Sequence, residues 1–166
     1  FSEEVRRELQ ERYGDEGLYK GGLSVRTTLD PRLQEIADRV LRKGLIAYDR
    51  RHGWRGAVSK FEGMEDWPRQ LAALKPPKGS EGWLLSVVLN MDAEGADIGF
   101  SDGTRGRVPF AEIRWARPWK KKQRVGPRPK APTDVLAVGD VVLVEPVLKS
   151  AKDEDYPEGS FALRQL

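Results

Sequence analysis

Trp83-Leu84-Leu85-Ser86-Val87-Val88-Leu89-Asn90 is a near-continuous apolar run, and the chain after it alternates. In Ala96–Ser101, Ala96, Ile98 and Phe100 share one face. Asp102-Gly103 is a two-residue hairpin signal, because a type I′ turn needs positive φ at both central positions. Thr104–Phe110 runs back, with Arg105 and Arg107 on the face opposite Gly106 and Val108. These segments read as strands, the first a near-continuous apolar run and the second alternating.

Further along, Ala111–Trp115 reads as a short helical turn, and Pro118–Thr133 as a basic, proline-rich and mobile segment. Gly139-Asp140 opens a strand over Val141–Val147, and Gly159 leads into a last one over Ser160–Leu166. Five strands with a helix between the third and fourth match the order of an OB-fold, a five-stranded Greek-key barrel. Barrel closure also removes the exposed edges of such short strands. Spacing alone leaves an SH3-like barrel open.

Upstream the pattern is helical. Val5, Leu9 and Tyr13 recur every four residues in a helix over residues 1–13, which Gly14 can stop. Leu23–Leu29 alternates and is rich in β-branched residues, which predicts a strand. Asp30-Pro31 then opens a helix: Asp suits the N-cap and Pro the first helical position. Leu33, Ile36, Ala37, Val40, Leu41 and Leu45 form a wide apolar stripe that needs covering. One strand and one helix do not make a domain. With no initiator Met, the chain reads as trimmed from something longer. Arg50–Gly56 is a basic, turn-rich junction, Arg69–Leu74 a short helical patch and Lys75–Gly79 a loop.

Composition narrows the chemistry. The 166 residues are 39% apolar and 33% charged, with net charge +3 and no cysteine, so disulfides and thiolate metal sites are excluded. No apolar run approaches the roughly eighteen residues of a membrane span. The single histidine, His52, sits in an arginine-rich turn; alone, it does not make a zinc site of three or four ligands. Neither G-x-x-x-x-G-K-[ST] nor G-x-G-x-x-G after a strand occurs. Glu65-Asp66 and Asp153-Glu154-Asp155 read as solvated loop carboxylates without calcium-loop spacing. No catalytic, cofactor-binding or metal-binding residue is assigned.

The conspicuous feature is Arg114–Lys130, with eight Lys or Arg and no acid. Its Trp119, Lys120, Lys121, Lys122 and Arg124 are the candidate partner-binding residues. Trp115 reads as a core plug beneath the barrel. Indoles among cations on an OB-fold can hold single-stranded nucleic acid, by stacking bases and neutralising phosphates. The same composition can face an acidic protein or an anionic membrane surface.

The string Gly21-Gly22-Leu23-Ser24-Val25-Arg26-Thr27-Thr28-Leu29-Asp30-Pro31-Arg32-Leu33-Gln34 resembles the start of the transpeptidase domain of class A penicillin-binding proteins, the bifunctional peptidoglycan glycosyltransferase–transpeptidases. Tyr48–Gly56 resembles the junction that follows in members with an inserted OB-like domain. Phe161–Leu166 resembles the strand that leads back. The resemblance implies a linker helix over 1–21, the first strand and helix of the transpeptidase domain over 22–50, and an OB-like domain over 51–166. The implied class is α+β: an OB-like barrel preceded by a helical lead-in. The family's nucleophile lies in Ser-x-x-Lys, yet none of the eight serines has Lys three positions on. Ser-x-Asn, Lys-Thr-Gly and the glycosyltransferase motifs are absent as well. The resemblance therefore implies a non-catalytic piece of an enzyme at the periplasmic face of the bacterial inner membrane. Its implied partners are the rest of that enzyme and an outer-membrane lipoprotein activator or other envelope protein. A single-stranded nucleic acid module is the alternative.

Overall fold

The computed structural model describes residues 1–122, 124–149 and 155–165, which form two units, Phe1–Val40 and Leu41–Leu166. In the first unit, helix α1 (Ser2–Lys20) passes through a break at Gly14, whose φ of 65° and ψ of 175° lie outside the helical region. Gly14 thus interrupts the helix as expected, but the chain re-enters helical geometry beyond it. Surface ion pairs decorate α1: Glu3 with Arg6 at 2.5 Å, Glu4 with Arg7, and Glu16 with Lys20 at 3.4 Å. Such exposed pairs contribute a few tenths of a kcal/mol each, roughly.

Leu23–Leu29 corrects the sequence reading, because it carries no strand. A strand exists only with a hydrogen-bonded neighbour, and the described residues supply none for this stretch. Asp30 does cap helix α2 (Pro31–His52): its Oδ1 accepts the N–H groups of Arg32 at 2.9 Å and Leu33 at 3.4 Å. Leu33, Ile36 and Val40 of the apolar stripe are exposed, and no residue of α1 or α2 is buried.

In the second unit, the C-terminal part of α2 is tied to the loop after Lys78. Arg42 Nη2 donates to the carbonyls of Gly79 and Glu81, and its guanidinium lies 5.3 Å from the Trp83 ring centre. The sheet follows: β1 (Ser59–Lys60), helix α3 (Trp67–Ala72), β2 (Leu84–Met91), β3 (Gly95–Gly99) and β4 (Arg105–Pro109). Then come helix α4 (Phe110–Ile113), the small hairpin β5 (Trp119–Lys120) and β6 (Arg124–Val125), then β7 (Asp140–Pro146) and β8 (Phe161–Arg164). All five expected strands of the barrel form, with α4 between the third and fourth.

The ladders are antiparallel in the order β1-β7-β2-β3-β4, and β8 also pairs with β7. The ring is drawn together at one parallel bridge, Arg107 with Ser160, where the Arg107 N–H donates to Gly159 O at 2.9 Å. Closure is therefore partial, unlike the full ladder of an ideal barrel. Val88, Ala96, Ile98, Val108, Val142, Val144 and Leu163 fill the interior, and Ile113 of α4 plugs one end. A second cluster, Leu71, Val87 and Val141, forms where α3 packs on the outside of the sheet.

Two local readings change. The loop after β3 is not a two-residue type I′ turn: Gly103 has φ 84° and Asp102 does not have positive φ. Phe100 N–H donates to Thr104 O at 2.9 Å and Gly103 N–H to Phe100 O at 2.8 Å, which makes a three-residue loop. Asp102 instead accepts the Thr104 N–H and hydroxyl, at 2.9 and 2.6 Å. The segment expected to be mobile over Pro118–Thr133 contains the β5–β6 hairpin and the buried Pro132. Within it the Gly126 N–H donates to Pro118 O at 2.7 Å, and Asp134 Oδ2 accepts the N–H groups of Lys130 and Ala131 at 2.7 and 3.1 Å.

Candidate functional site

The β5–β6 hairpin gathers the cations. Trp119 pairs with Val125 and Lys120 with Arg124 in antiparallel register. Lys121 and Lys122 occupy the tip, with Lys122 at φ 62°. All five predicted partner-binding residues are exposed: Lys120, Lys121, Lys122, Arg124 and Trp119, the last 47% exposed as a whole residue. The five lie on one hairpin. Among the described residues no carboxylate forms an ion pair with Lys120, Lys121, Lys122 or Arg124, whereas Arg107 pairs with Asp92 and Arg164 with Glu145. Like charges facing each other across two strands repel, so Lys120 and Arg124 destabilise the bare hairpin. An anion placed between them removes that repulsion.

The base of the hairpin is fixed. The Trp54 N–H donates to Arg117 O at 2.6 Å, and the Trp119 N–H donates to Trp54 O at 2.9 Å. Arg117 Nε donates to Gly126 O, closing the hairpin from beneath at 2.7 Å. Trp54 is buried and meets Trp115 edge-on at 6.0 Å. Trp115 packs against the barrel core, as expected, and carries the Arg50 guanidinium 4.6 Å above its ring. Burial and the neighbouring Arg164 charge push the Arg50 pKa down, in that order of weight.

The nucleic-acid alternative finds no support. An OB-fold presents its oligonucleotide face over its second and third strands, here β3 and β4. The central cation of that face, Arg107, is spent on two carboxylates, donating to Asp97 at 2.6 Å and Asp92 at 2.5 Å. The Trp67 indole of α3 packs on Gly99, where an added Cβ would come within 2.4 Å of the ring. Arg107 thus offers phosphates a neutralised charge, while Arg105 of the same strand is exposed.

His52 is the last residue of α2. Its ring stacks on Tyr48 at 4.0 Å and its Nδ1 lies 2.7 Å from Tyr48 O. No group of three potential metal ligands occurs among the described residues. Asp153 and Glu154 of the acidic loop lie outside the described residues. Among the described residues no helix is long and apolar enough to cross a membrane.

Residues 54–166 match the family profile of the penicillin-binding protein OB-like domain. This chain belongs to the class A penicillin-binding proteins, as their OB-like domain. Penicillin-binding protein 1A of Rickettsia typhi is 35% identical over 151 residues, covering 91% of this chain and 17% of the relative. The Pseudomonas aeruginosa protein of that name is 34% identical, with 87% of this chain and 17% of the relative covered. The Escherichia coli one is 31% identical, over 98% of this chain and 20% of the relative. The crystal structure of penicillin-binding protein 1A from Haemophilus influenzae superposes with a TM-score of 0.56 at 26% identity, covering 99% of this chain and 22% of that one. The chain spans about a fifth of the length of these penicillin-binding proteins.

The sequence reading missed one constellation. Gln165, Asp49 and Arg55 form a hydrogen-bonded group around Gly53. Nothing local announces it, since Gln165 and Gly53 are 112 residues apart. Only the glycine after His52 hinted that the junction is tight.

Proposed function

We propose that this chain is a non-catalytic docking and regulatory domain of a bifunctional penicillin-binding protein that polymerises and cross-links peptidoglycan. Residues 1–21 serve as a linker, 22–50 begin the transpeptidase domain, and 51–166 are the OB-like domain. The parent enzyme acts at the periplasmic face of the inner membrane and covers the exposed stripe of α2. The basic hairpin is the docking element, and its ligand is an acidic surface of an envelope protein; an outer-membrane lipoprotein activator fits that chemistry.

The observation that carries the docking reading is the unneutralised tip. Lys120 and Arg124 stand opposite one another with Lys121 and Lys122 between them, on a hairpin anchored to Trp54. Complementary charge steers association and fixes register, and a rigid base lowers the ordering cost of binding. Trp119 at the base of the patch offers an indole for an apolar contact beside the charge.

Two experiments bear on the reading. Incubation with a fluorescent penicillin leaves the chain unlabelled, because no serine has the lysine three residues on that activates the family's nucleophile; a covalent adduct refutes the non-catalytic assignment. A filter-binding titration with single-stranded DNA at two salt concentrations gives weak binding. Tight binding with a steep salt slope would replace docking to protein by nucleic-acid binding.

A further inference from the structure

Gly53 is where three chain segments meet. Its carbonyl accepts from Gln165 Nε2 at 2.9 Å, and the same Nε2 donates to Asp49 Oδ2 at 2.6 Å. Gln165 Oε1 accepts the Arg55 backbone N–H at 2.7 Å, and Arg55 Nη1 donates to Asp49 Oδ1 at 2.6 Å. Gln165 is buried, with both amide protons and its oxygen engaged. The α-carbon of Gly53 faces the hairpin: a Cβ there would come within 2.9 Å of Arg117 O and of Val125 Cγ1, and 3.2 Å of Trp119 Cα. Trp54, the next residue, exchanges backbone hydrogen bonds with Arg117 and Trp119. The backbone that supports the hairpin is therefore the backbone that Gln165 and Asp49 hold.

The geometry points to Gln165 as a positioning residue for the basic hairpin. It couples three elements: the last turn of α2 through Asp49, the stretch after β8 on which it lies, and the β5–β6 hairpin through Gly53-Trp54. Loosening the Gln165 group loosens the hairpin base, and disturbing the hairpin base disturbs the Gln165 group. Thermodynamic reciprocity requires both directions. That a bound partner exploits this coupling rests on the docking reading above; the coupling itself does not. A buried glutamine that merely satisfied its own hydrogen bonds would affect stability without singling out the hairpin.

Amide hydrogen exchange on the 166-residue chain, resolved by residue, tests it. Gln165→Met keeps the bulk and removes the three hydrogen bonds. It speeds exchange of the Trp54 and Trp119 amides roughly tenfold, while the barrel amides of Val87 and Val142 keep their rates. In the reverse direction, Arg117→Met removes the bond to Gly126 and speeds exchange of the Arg55 amide, which donates to Gln165. Unchanged rates at Trp54 and Trp119, or equal acceleration throughout the barrel, overturn the coupling. Poly-L-glutamate added in excess supplies the third arm: it slows Arg55 exchange in the wild type and not in Gln165→Met. Should it bind the hairpin and leave Arg55 unaltered in the wild type, the coupling is overturned. Should it fail to shift Lys120–Arg124 at all, the acidic-docking reading falls, and the two substitution arms still decide the coupling.

Discussion

Asp92 illustrates what single residues do here. Its Oδ1 accepts the backbone N–H groups of Glu94 at 2.8 Å and Gly95 at 3.0 Å, so it shapes the turn between β2 and β3. Arg107 donates to both its oxygens. That guanidinium, then the Glu94 amide, holds the Asp92 carboxyl below the usual carboxylate range. Asp102 is lowered by the Thr104 hydroxyl and Asp134 by the Lys130 amide. A folded pKa below the unfolded value means stabilisation that is present at neutral pH and is lost as pH falls below about 4. Urea midpoints should therefore drop from about pH 5 to about pH 3, and Asp92→Asn should flatten the drop; an equal slope in both proteins speaks against the pairing. Gly53→Ala places a Cβ at φ 98° and against the hairpin base, so it should cost about 1–3 kcal/mol in urea unfolding. At this scale the sequence was a poor guide. Asp102-Gly103 marked the right turn but the wrong type, because the Asp102 side chain satisfies Thr104 and leaves its own φ negative.

Among the elements, legibility followed burial. β2, β3, β4, β7 and β8 each bury one face or both, so their apolar spacing was visible in the residues alone. Ile98 and Val142 lie fully buried in that core, and Ile98→Ala should cost about 2–5 kcal/mol, measured by chemical denaturation. The β5–β6 hairpin escaped the same reading. Two-residue strands leave no period to detect, and Pro118, Pro127 and Pro129 around them look like a loop. Its cation cluster was legible from composition, whereas the anchoring to Trp54 is made by backbone groups that no side-chain pattern reports. Leu23–Leu29 failed in the opposite sense: its alternation is real, but strand pairing needs a partner that the described residues do not offer. Helix α2 keeps its cap at Asp30 and its stripe, as read.

For the whole molecule, the division into Phe1–Val40 and Leu41–Leu166 sets what folds together. The first unit has no buried residue in α1 or in its part of α2, and the second has a buried apolar core. Protection from exchange tracks buried contacts. Amides of residues 2–40 should exchange orders of magnitude faster than those of β2 and β7, and uniformly slow exchange contradicts a lead-in that depends on its host. The family was legible because one contiguous string, Gly21–Gln34, is specific; the Gln165 group was not, because it joins residues from opposite ends of the domain. The central claim is docking through the hairpin, and capture of envelope lipoproteins tests it most directly. The wild-type chain should retain a lipoprotein that the triple variant Lys120→Glu, Lys121→Glu, Lys122→Glu releases, with stability of the variant changed by no more than about 0.5 kcal/mol because all three side chains are exposed. Capture of nothing, or equal capture by both proteins, contradicts the account.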